Sequence, residues 1–176
     1  MKGIKSWFAK EHGTTAIEFA MLSVPFTMLL IGIVETTLFF ATGVVMEGAT
    51  ADTARMIRTG QVQNSANPVQ TFEDSLCDRV SLLIDCRTLQ YEVLAVPNNS
   101  FINANGLTPT FDAGGDLVPA GFDPAESSDA VLVRVVYRYN FLTPFMSAIL
   151  ARDPASGLST LMSTVVIRNE PYSFGG

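Results

Sequence analysis

Gly13-Thr14-Thr15-Ala16-Ile17-Glu18-Phe19 opens the stretch that decides the fold: an apolar run follows it to Val34, and a helical pattern continues to Arg58, with Gly60 just beyond. Phe19 to Val34 carries no charge. From Thr14 to Glu35 a helix would measure about 32 Å at ~1.5 Å per residue, close to the ~30 Å hydrocarbon core of a bilayer. The stretch therefore reads as a membrane anchor. Ahead of it lie Lys2, Lys5 and Lys10, with Trp7 and Phe8 among them. The positive-inside rule keeps such a leader in the cytoplasm and sends the chain beyond the apolar run across the membrane. A secretory signal peptide would place its apolar core before the cleavage site, whereas here a short basic leader and a glycine come first.

Composition supports the same order of parts. The chain has 176 residues, enough for one domain and an appendage, and its 48% hydrophobic content is concentrated in the first third. All lysines sit in the leader, so beyond Gly13 eight arginines face sixteen acidic side chains, a net charge of −8. An acidic chain without a basic cluster argues against nucleic-acid binding, which draws on neutralised phosphates. The two cysteines, Cys77 and Cys86, both fall in the exported part. In an oxidising compartment the simplest reading is one disulfide between them.

Glu35 ends the span, either as a carboxylate facing water at the outer interface or as a partner for a basic group on a neighbouring subunit. Pro25 removes one backbone bond within the helix and should kink it, which membrane helices tolerate. Further out, Gly43, Gly48, Ala49, Ala51 and Ala54 permit close approach, either to another helix or to the chain's own domain. Arg55 and Arg58 suit the negative end of the helix dipole, and Gly60 is the expected stop.

A linker with Asn64, Ser65 and Asn67 leads to Pro68, which fits the first position of a second helix capped by Asn67. Val69, Phe72, Leu76, Val80 and Leu83 give that helix one apolar face for packing on a sheet. Leu89–Val96 reads as a strand, and Cys86 pins the helix end to it. Residues 97–129 turn to Asn, Gly, Pro, Asp and Ser, a long loop or a pair of short hairpins. The acids there, Asp112, Asp116, Asp123, Glu126 and Asp129, miss the calcium-loop spacing. Val131, Val133, Val135, Tyr137, Tyr139 and Phe141 alternate with a face that includes Arg134 and Arg138, the clearest strand in the chain. Thr143-Pro144 opens a short helix through Leu150, Asp153-Pro154 to Gly157 makes a turn, and Leu161–Arg168 forms the last strand. The expected fold class is α+β: leader 1–13, transmembrane and extended helix 14–60, and an exported domain 61–176 with a helix on an antiparallel sheet of three or more strands.

Catalytic chemistry finds no support. The single histidine, His12, lies in the leader, so a histidine triad or histidine metal site is excluded from the exported domain. Gly114-Gly115 lacks the spacing of a phosphate loop. No enzyme activity, cofactor, metal or small-molecule substrate is expected. Glu18 stands apart, because a carboxylate near the start of an apolar span costs roughly 2.5–3.5 kcal/mol at mid-membrane and less near the interface.

Gly13 to Phe19 resembles the processing motif of type IV pilin-like proteins. With the apolar run, Pro25, Gly32-Ile33-Val34-Glu35 and Ala54-Arg55, the segment looks like the TadE-like family of the tight-adherence (Flp) pilus system. The closing Arg168-Asn169-Glu170-Pro171-Tyr172 also looks like the ending of such proteins. The resemblance implies a pilin-like fold and a membrane prepilin peptidase that cuts between Gly13 and Thr14. Glu18 and Phe19 would then serve assembly, Glu18 pairing with the freed Thr14 amine of an adjoining subunit. It further implies a minor pilin or pseudopilin, single-pass in a bacterial inner membrane, whose partners are other pilins and Tad assembly components. Its C-terminal domain would be periplasmic, or extracellular once in a pilus. The alternative is an uncleaved bitopic membrane protein whose periplasmic domain binds a partner or ligand.

Overall fold

The computed structural model describes residues 14–151 and 156–172, so the leader with Gly13 and the Asp153-Pro154 turn lie outside the described residues. The chain divides into two compact units, Met1–Leu38 and Phe39–Gly176. Helix α1, Thr14–Arg58, contributes to both. In the first unit the helix is apolar all round, and Phe19, Met21 and Leu22 are more than 70% exposed. A helix of that kind requires an apolar surrounding rather than water. Ser23, Thr36 and Thr37 turn their hydroxyls onto the helix's own carbonyls, those of Ala20, Gly32 and Ile33, which suits the same surrounding. Pro25 sits inside the helix without ending it. Glu35 is 2% exposed, which corrects the expectation of a carboxylate facing water.

In the second unit α1 becomes amphipathic. Met46, Ala49, Ala54 and Ile57 recur at three- and five-residue intervals and enter the core, whereas Gly48 and Ala51 face outward. The helix stops at Gly60, whose φ of 75° is cheap only without a side chain. Gly60 N–H donates to Ile57 O and Gln61 N–H to Met56 O, satisfying the last carbonyls. Helix α2, Pro68–Val80, begins as its sequence predicts: Asn67 Oδ1 accepts from Gln70 N–H at 3.3 Å. Phe72, Leu76 and Val80 are its buried stripe.

Three antiparallel strands, β1 (Gln90–Ala95), β2 (Ala130–Asn140) and β3 (Leu158–Arg168), form a sheet in that order. Val93, Val133 and Val165 stand side by side, and so do Glu92, Arg134 and Thr164. The valine face receives α1 and α2 in the main core. At one end of it Phe39, Tyr139 and Phe141 stack edge to face, closed by Met146 of helix α4 (Pro144–Leu150). Thr143 caps that helix as expected, accepting from Met146 N–H.

The opposite face carries residues 97–129, which hold a turn at Pro97–Asn99, a short helix α3 (Phe101–Ala104) and an irregular, largely exposed strap lying on the sheet, with Phe111 and Leu117 bridged antiparallel as in a small hairpin. Ala104, Ala130, Leu132 and Val96 make a second core beneath it, and Leu117 is 4% exposed. Ala130 to Val136 are therefore buried on both faces, and Arg134 is not on a solvent side. At its far end the strap crosses to the outer edge of β1. There Val93 N–H donates to Gly121 O and Asp123 N–H to Val93 O, and Phe122 packs against Phe72 and Tyr91.

Candidate functional site

The first unit holds the candidate processing and assembly residues. Thr14 is the first residue of α1, Glu18 lies one turn on, and Phe19 beside it is exposed. Gly13 itself falls outside the described residues. The Glu18 side chain is exposed on the helix and has no hydrogen-bond or ion-pair partner among the described residues. A bare carboxylate at the head of an apolar helix favours pairing with a cation brought by another molecule.

In the second unit, among the described residues, no group of three or more His, Cys, Asp or Glu side chains is arranged to hold a metal ion. Cys77 on α2 and Cys86 in the turn after it are at disulfide distance, their Cα atoms 5.5 Å apart. Beside them is a recess of about 360 Å³ lined by Glu73, Asp74, Arg87 and Tyr91. The Tyr91 hydroxyl donates to Glu73 Oε1 at 2.5 Å. Burial, then the Glu73 carboxylate, push its pKa well above the usual phenol value.

Two polar clusters escaped the reading of the sequence. Glu92 and Arg134, at 2% and 4% exposure, form a buried ion pair under the strap. Arg134 Nη2 also donates to Leu107 O, and Glu92 Oε2 accepts from Ala120 N–H, so the pair fastens the strap at two places. Gln90 Oε1 accepting from Leu117 N–H and Arg138 paired with Asp116 add two more ties. The second cluster is a clasp at Arg168–Tyr172. Buried Asn169 donates to Pro124 O and Glu126 O, its own N–H reaches Asp129 O, and Glu170 N–H donates to Arg58 O. Arg58 and Glu170 also pair by side chain at 2.9 Å. The clasp gives the closing motif a physical reason: it joins the end of α1, the end of the strap and the end of β3.

No curated protein and no solved structure matches the chain. The family signal lies in α1, a helix long and apolar enough to cross a membrane, for residues 13–55, from the glycine ahead of α1 to Arg55, match the family described as TadE-like protein.

Proposed function

We propose that this chain is a minor pilin, or pseudopilin, of a tight-adherence pilus, tethered in a bacterial inner membrane by α1 with its second unit outside the cytoplasm. The match of residues 13–55 to the TadE-like family supports association with a Tad pilus system. The observation that carries the reading is the unpaired Glu18 carboxylate on an exposed apolar helix, five residues after Gly13. Prepilin peptidase cuts between Gly13 and Thr14. The freed Thr14 amine, with a reference pKa near 8, is largely cationic at neutral pH and pairs with Glu18 of an adjoining subunit. In a medium of low dielectric, leaving one such charge alone is costly, so the pair sets the depth at which a subunit seats. The chain acts by assembly and not by catalysis, with no cofactor, nucleic acid or small-molecule substrate.

The test is the N-terminus of the protein recovered from native membranes. Thr14 as first residue is expected, with retention of the whole leader in a Gly13→Val variant. An intact leader in the unaltered protein sinks the reading in favour of an uncleaved bitopic receptor. Glu18→Ala is expected to be cleaved normally but to fail in piliation, and normal piliation would remove the pairing mechanism.

A further inference from the structure

Helix α4 carries more apolar side chains than its own core uses. Met146 and Leu150 pack inward with Tyr139, Phe141 and Phe39. Phe145 and Ile149, four residues apart and so on one side of the helix, are 56% and 60% exposed. Leu142, in the residues leading into the helix, is 79% exposed, and Phe40, whose ring meets that of Phe39, is 64% exposed. Between Asp129 and Asp153 the sequence holds no acid, only Arg134, Arg138 and Arg152, in a chain that is net −8 beyond Gly13.

Exposure alone does not choose an occupant, since Ile102 of α3 is 80% exposed. Position separates the two. Gly43 faces Leu161 near the start of β3, and Arg58 bonds Glu170 just past its end, so residues 39–58 of α1 run parallel to β3. The second unit therefore has two ends, about 28 Å apart at ~1.5 Å per residue. Phe39 and α4 mark one end. The clasp marks the other, where Ala104 of α3 packs with Ala130, the sheet partner of Arg168. Phe39 lies five residues past Val34, the end of the uncharged run. That is about 7.5 Å of helix, and at most ~18 Å of chain in any conformation. The headgroup layer outside the hydrocarbon is roughly 5–8 Å deep. Whatever the tilt of the second unit, its α4 end is the one tethered at that layer.

We infer that α4 seats Phe145 and Ile149 in the headgroup–acyl boundary of the leaflet from which α1 emerges, so that the occupant of this surface is lipid. A short helix at that depth buries its apolar side without crossing the bilayer. The absence of acid suits the place, because a carboxylate drawn toward the hydrocarbon is costly. The contact deepens the reading above by giving the second unit a resting place before assembly, and it rests on α1 being the anchor.

The test uses the full chain with its single tryptophan removed, Trp7→Phe, and one new tryptophan at a time: Phe145→Trp, Ile149→Trp, Phe26→Trp within the span, and Ile102→Trp at the clasp end. Each is reconstituted in vesicles of phosphatidylethanolamine and phosphatidylglycerol with brominated acyl chains, and thermal melting reports that the fold is kept. Bromine should quench positions 26, 145 and 149 by about half or more, and position 102 by less than about a tenth. Ile149→Asp, read from position 145, should lower the quenching about threefold. Quenching at 26 but not at 145 and 149 overturns the inference and leaves the anchor intact. Equal quenching at 102, or no change with Ile149→Asp, overturns it as well. Quenching at 145 and 149 that vanishes when the protein is crowded tenfold assigns the surface to a second copy and does the same. No quenching at 26 removes the anchor, and the inference falls with it. The N-terminal residue of the native protein tests cleavage separately, so failure of the lipid contact and failure of the pilin reading give different results.

Discussion

The two faces of one sheet are covered by different means. On one, α1 and α2 bring Ile57, Phe72, Leu76 and Val80 onto Val93, Val133 and Val135, a core held by apolar contact over its whole area. On the other, a strap of 33 residues without a lysine or arginine is held by a small apolar patch and a buried ion pair. Apolar burial is tolerant of position and strong in sum, whereas an ion pair is weak in net energy but intolerant of displacement. The helix face therefore sets how stable the second unit is, and the strap face sets where one segment sits.

The contrast breaks first at Phe72. Phe72→Ala removes a fully buried ring that also stacks on Tyr91 and Phe122, and should cost about 4 kcal/mol, read as a lower urea midpoint for the whole second unit. Arg134→Met should cost about 3 kcal/mol, since the Glu92 carboxylate stays buried without its partner. The loss should be local: chymotryptic cleavage at Phe111 in the strap rises about a hundredfold while the melting of the remainder moves far less. Glu92→Leu combined with Arg134→Met sharpens the point, with stability returning to within about 1 kcal/mol of the parent while Phe111 stays easily cut. Equal protection of Phe111 in that double variant would show that the ion pair does not position the strap. The smallest effect is expected at Tyr91, where Tyr91→Phe forfeits the bond to Glu73 for about 1 kcal/mol. Its phenol pKa is raised in the folded state, so this contribution is complete below the unfolded value near 10 and fades above it. Equilibrium unfolding between neutral pH and alkaline pH should accordingly show a steeper alkaline loss for the parent than for Tyr91→Phe.

The helix face was legible because its signals are local. Phe72, Leu76 and Val80 repeat at helical spacing, Val131, Val133 and Val135 alternate, and Asn67-Pro68 and Thr143-Pro144 carry their caps with them. The strap face was not, because Arg134 alternating with valines has the pattern of a solvent side. What reverses it is Glu92, a partner 42 residues earlier, and no short-range pattern connects the two. Glu35 failed for a related reason: its place at the end of an apolar run says interface, and only tertiary structure shows it buried at 2% exposure. Of the candidate assembly residues, Glu18 was singled out by its cost in an apolar segment, and the structure places it exposed on α1.

The clasp at Arg168–Tyr172 has a mechanical consequence. The Arg58–Glu170 bonds tie the end of α1 to the segment that follows β3, so a pull on the end of α1 within the second unit is handed to the end of β3. Because residues 39–58 lie parallel to β3, the load acts along the strands, and the eleven residue pairs joining β2 to β3 share it in shear instead of parting one after another. The weak point under force is then the clasp and not the sheet, so the second unit should yield by releasing its last five described residues before its core opens.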